Sequence, residues 1–126
     1  MKKVSKYLGV ILFIALGSAL TGCYKDIITQ SDPDGPAMQV SFKDELLPVF
    51  TKNCALSGCH GTGAHAPELT EAKAYSALNN GIYVNTLMPK QSKLYLEVNG
   101  EMGTYMPSPL DKRKVYDWIR NGAPNN

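Results

Sequence analysis

Apolar positions along the chain form one uncharged block, then a polar gap, then a series of shorter periodic stretches. The block is residues 7–20, YLGVILFIALGSAL, preceded by the basic MKKVSK. The gap is residues 24–40, where Pro, Gly, Asp and Ser recur without an apolar period, as in a tether. Periodicity resumes at Ser41. Phe42, Leu46 and Phe50 repeat at i, i+4 and i+8 with Leu47 beside them, which predicts a helix with Ser41 as N-cap and an acidic first turn. Pro48 interrupts that stripe. Either a kink there or a helix starting near Leu47 is expected, because proline lacks a donor N–H and crowds the preceding turn.

A second helix is predicted over residues 70–80, capped by Thr70, with Ala74, Tyr75 and Leu78 inward and Gly81 ending it. Residues 92–98 alternate like a strand at Leu94, Leu96 and Val98, yet their flanks permit a short helix, which is the reading adopted. The VNGEMGTYMPSP that follows is expected to be a loop lying against something. The last helix takes Asp111 as its cap and Leu110 as a staple onto Val115. Val115, Trp118 and Ile119 form its stripe, Trp118 being read as core, and Gly122 and Pro124 stop it.

As a helix the block at 7–20 would span about 21 Å, short of the roughly 30 Å of bilayer hydrocarbon, so it reads as the core of an export signal. It ends in LTGC, which resembles the bacterial lipobox and implies lipidation of Cys23 at the head of a mature chain. The expected organisation is therefore a lipoprotein signal peptide at 1–22, a lipidated tether at 23–40 and one domain at 41–126. The mature length of about a hundred residues supports one small core and no second domain. Loss of Lys2, Lys3 and Lys6 turns the precursor's excess of 13 basic over 11 acidic residues into a mature charge near −1. That balance gives no support for a nucleic-acid partner.

Export changes what the remaining cysteines can mean, since zinc–thiolate sites belong mainly to reducing compartments. Cys54 and Cys59 stand in NCALSGCHG with His60 directly after the second. Two thiols one tight loop apart and an adjacent imidazole fit covalent haem attachment, each sulfur adding to a vinyl group and His60 binding iron. The usual spacing has two residues between the cysteines; here there are four, Ala55, Leu56, Ser57 and Gly58. They must bulge outward, and Ser57 and Gly58 suit such a bulge. A Cys54–Cys59 disulfide, or a zinc loop with His65 as fourth ligand, uses the same residues.

The order of these features resembles a class I cytochrome c over residues 41–123, most closely the small haem domains of bacterial lipoproteins. The matching fragments are Phe50 ahead of CALSGCH, then PEL at 67–69, YMP at 105–107 and YDWIRNGA in the last helix. The resemblance implies an all-α bundle of about three to four helices around one haem c held by Cys54 and Cys59, with His60 as proximal ligand. It implies further that the Pro67 carbonyl accepts from His60 Nδ1, that Leu69 packs on the haem and that Met106 is the sixth ligand, ahead of Met102 and Met88. His65 is set aside, because five residues of chain do not carry it round the haem edge to the opposite face.

The expected function is one-electron transfer with redox partner proteins outside the inner membrane, by a non-enzymatic carrier anchored through Cys23. Tyr24 lacks the acidic retention signal and favours the outer membrane, facing the periplasm. Two other classes use the same residues. One is a haem peroxidase or gas sensor with an open sixth site, and the other a haem-free structural lipoprotein closed by a disulfide.

Overall fold

The computed structural model describes residues 34–126. Cys23, the apolar block before it and the first part of the tether lie outside the described residues. Within them the chain is all-α, with four α-helices and no strand.

The first helical stretch begins at Ser41, whose hydroxyl accepts from Asp44 N at 3.1 Å while Glu45 accepts from Ser41 N at 2.9 Å. A π-helical turn follows at Phe42–Leu46, and the α-helix α1 at Leu47–Asn53. Pro48 explains the change of register. In a continuous α-helix its missing N–H would break the ladder at Asp44 O. The widened turn instead lets Leu47 N reach back to Phe42 O and leaves Pro48 in the first turn of α1, where proline is tolerated. Phe42, Leu46 and Phe50 are all at or below 1% exposure, so the stripe survives the change.

α2 is confined to Ala74–Leu78, shorter than the span predicted. Thr70 does not cap it with its side chain, which donates to Glu68 at 3.0 Å instead, although Thr70 O accepts from Lys73 and Ala74. α3 at Lys93–Asn99 is a helix and not a strand, burying Leu94 and Val98 at i and i+4 while Leu96 faces water. A 3₁₀ turn at Glu101–Thr104 continues from it.

α4 spans Pro109–Arg120 and starts earlier than Asp111. Ser108 is its N-cap, accepting from Asp111 N at 3.2 Å, with Pro109 in the first turn. Leu110 is thus inside the helix and 55% exposed, with no staple to make. The far end closes as a Schellman motif: Gly122 at φ +91° donates to Ile119 O, and Ala123 N donates to Trp118 O.

α4 lies against the π-helical turn and α3. Trp118, fully buried, meets Phe42 at 5.1 Å between centroids, and Tyr75 stands edge-on to Phe42 at 5.3 Å. Burying such rings supplies most of what a core this small can contribute.

Residues 34–40, expected to belong to the tether, are held against α4. The fully buried Asp117 carboxylate accepts from Met38 N at 3.2 Å, from Arg113 at 2.7 Å and from Arg120 at 3.0 Å. Arg120 also donates to Gly35 O and Asn121 to Met38 O. Asp34 takes Lys90 at 2.8 Å and the Tyr116 hydroxyl at 2.8 Å. The bonds from residues 34–38 to α4 and Asn121 named here join positions 79 to 85 apart, so no local pattern announces them.

Candidate functional site

α1 hands the chain directly to the cysteine loop. Cys54 N and Ala55 N both donate to Phe50 O, ending the helix. The loop then folds on itself: Cys59 N and Gly61 N donate to Leu56 O, and His60 N to Cys54 O at 3.1 Å. Leu56, Ser57 and Gly58 project into water, with Gly58 at φ +79°, while Cys54, Cys59 and His60 stay half-buried at the base. The four-residue spacing is therefore taken up by an outward bulge. Gly61 stands at a close approach: a Cβ there would lie 3.0 Å from Leu56 O and 3.2 Å from Ala55 O, so the loop would have to give by a few tenths of an ångström.

The next turn fixes the imidazole. His65 N donates to Cys59 O and Leu69 N to His60 O, which brings two carbonyls to the ring. His60 Nδ1 is 3.0 Å from Pro67 O and 3.2 Å from His65 O. Carbonyl oxygens only accept, so Nδ1 carries the hydrogen, and in the neutral ring Nε2 holds the free lone pair. Glu68 ties the loop's exit by accepting from Lys73, Thr70 and Thr62, with the Lys73 bond foremost in holding its carboxyl below the usual range.

Cys54, Cys59 and His60 share the wall of a cavity of ≈350 Å³, within the size range of small-molecule and cofactor sites. Phe50, Leu69, Leu94 and Val98 make its apolar part. Both cysteines are free thiols. Burial, and then the neighbouring Cys59, push the Cys54 thiol up, so it stays neutral at pH 7.

Pro67 and Leu69 join the two cysteines and His60 on this wall, as does His65. Met106 does not. It is 1% exposed in the core, in the same cluster as Phe50, Leu69, Leu94 and Val98. The methionine on the wall is Met102, 36% exposed, and Met88 is exposed elsewhere. Among the described residues no group of three or more His, Cys, Asp or Glu side chains is placed to hold a metal ion.

Sequence reasoning missed Tyr83, Lys93, Glu97 and Glu101, which also line the cavity. For Lys93 and Glu97 the signal was the helical reading of 92–98, which puts them one turn apart on one side.

No protein-family model, no curated protein and no solved structure matches this chain.

Proposed function

We propose that the chain is a lipid-anchored c-type cytochrome that carries single electrons outside the inner membrane. One observation supports this most: Cys54, Cys59 and His60 meet on one largely apolar wall, with the Nδ1 hydrogen of His60 engaged and Nε2 left for a ligand bond. The donor set suits the group, because two free thiols can each form a thioether and a neutral imidazole is the common proximal ligand of haem iron.

When bound, a haem supplies a one-electron iron couple; the protein's part is to hold it and set its surroundings. Cys54 and Cys59 would carry the covalent links. The carbonyls at Pro67 and His65 hold the imidazole's orientation and raise its basicity. Phe50, Leu69, Leu94 and Val98 exclude water, which favours the less charged oxidation state. We assign the sixth ligand to Met106 on the order of elements alone, a loop methionine just before the last helix, since its side chain lies in the core and Met102 is the methionine on the cavity wall. Anchoring is assigned to Cys23, and the location to the outer membrane on its periplasmic side. No helix among the described residues is long and apolar enough to cross a membrane.

A second reading draws on Met106 standing in the core and not on the cavity wall. With the sixth position open, the same haem would bind gases or reduce peroxide.

The deciding experiment is retention. Protein matured in an oxidising compartment should keep its haem through acid and denaturant, and Cys54→Ala with Cys59→Ala should lose it. Haem that washes out of the wild type, or a Cys54–Cys59 disulfide in cell-derived protein, would end the c-type reading. Rapid cyanide binding to the wild type would select the open-site form.

A further inference from the structure

The turn at residues 82–88 exposes three large apolar side chains. Ile82 is 65% exposed, Leu87 91% and Met88 49%. The backbone beneath them is firmly built. Asn85 Oδ1 accepts from Leu87 N and Met88 N, Asn85 N donates to Ser92 Oγ at 2.8 Å, and Ser92, 1% exposed, returns a bond to Asn85 O. Single exposed apolar residues need no explanation, but three on one rigid turn do.

Two observations say what covers them. The first is where the N-terminal segment reaches the domain: Asp34 is clamped to Lys90, two residues beyond Met88. From Asp34, eleven residue steps lead back to Cys23, at most about 36–40 Å of chain. The second is charge. No Asp or Glu occurs between Ala74 and Leu96, whereas Lys90 and Lys93 flank the turn. The apolar tip is bordered by Lys93 and by the Lys90–Asp34 pair, so its rim is polar while its apex is apolar, which fits an interface of acyl chains and headgroups.

We infer that Ile82, Leu87 and Met88 form a membrane-contacting tip, seated in the lipid surface that carries the anchor. The inference rests on lipidation of Cys23 and is independent of the haem. Tyr83, inside the same turn, lines the cavity, so seating the tip sets which way the cavity faces relative to the bilayer.

Hydroxyl-radical footprinting tests this on the mature lipidated protein bound to phosphatidylethanolamine–phosphatidylglycerol vesicles, against the Cys23→Ser chain free in buffer. Ile82, Leu87 and Met88 should lose modification on vesicles, while Leu96 and Leu110, exposed at 56% and 55%, keep theirs. Leu87→Ser with Met88→Ser, still lipidated, should sediment with the vesicles yet leave Ile82 modified. Unchanged modification at the tip, or equal protection at Leu96 and Leu110, overturns the inference with the anchor intact. A wild type that fails to sediment overturns the anchor and the tip together. Protection of the free chain that grows with protein concentration puts a second copy on the turn and also overturns it.

Discussion

Replacing Asp117 by Ala removes the carboxylate that ties residues 34–40 to α4. The side chain is fully buried and accepts two arginine bonds, at 2.7 and 3.0 Å, besides the Met38 N–H at 3.2 Å. Bonds to charged groups contribute about 1.5–3 kcal/mol each, and breaking a buried pair by deleting one partner costs about 3–5 kcal/mol. The two arginines are not equivalent. Arg113 is a third exposed and can turn to water, whereas Arg120, at 14%, stays largely desolvated. The expected loss is therefore at the low end, about 3 kcal/mol. That is a fall of roughly 12–24 °C in melting temperature for a domain of this size. Asp117→Asn keeps an acceptor and should cost about half.

Denaturant melts supply the free energies, and amide exchange at Met38 supplies the local effect, which should rise first. An Asp117→Ala protein within about 1 kcal/mol of wild type would show that this pair behaves like an exposed one and that the strap is not held by it.

Gly61→Ala should destabilise by about 1–3 kcal/mol through overpacking, because the loop carbonyls at 3.0 and 3.2 Å are backbone atoms. Mass spectrometry should also find less covalently loaded haem. Met106→Ala should erase the weak near-infrared sulfur-to-iron band, lower the potential and admit cyanide, while Met102→Ala keeps the band; the reverse pattern would move the ligand to Met102. Burial and the Asp34 carboxylate push the Tyr116 hydroxyl up to about 12. Its contribution is complete below the ordinary tyrosine value near 10 and lost as pH rises through the folded value. The melting-temperature gap between wild type and Tyr116→Phe should thus close between pH 10 and 12, and a constant gap would exclude this linkage.

What the sequence made legible was what local chemistry decides. Phe42, Leu46 and Phe50 hold one face because a single widened turn absorbs Pro48 without moving the stripe. Gly122 stops α4 because only the Schellman geometry satisfies its last carbonyls. The start of α4 was misplaced because Ser108 and Asp111 offer the same capping chemistry three residues apart, and Pro109 was the unread arbiter. Thr70 was overvalued because Glu68, two residues before it, competes for its hydroxyl. Asp117 was invisible as a buried group. On a helical wheel it is a polar residue beside Trp118, and only the distant Met38 and two flanking arginines make its burial affordable.

The same division of local from distant runs through the candidate site. Its cysteine side is made by bonds that span three to nine residues, among them Gly61 to Leu56 and Leu69 to His60, so a short segment carries its own geometry. The imidazole is oriented by carbonyls five and seven residues away. The methionine side is closed locally only as far as Tyr105, by Gly103 N to Gly100 O and Tyr105 N to Met102 O. Met102 and Met106 reach the region on a connection between α3 and α4 whose position depends on how those helices pack, and they take different depths, one on the wall and one in the core. A four-residue change of ligand on that connection would leave the cysteine loop untouched. In the haem site proposed above, the proximal half would thus be set by local sequence, and the sixth ligand, on which potential and openness would depend, by tertiary packing.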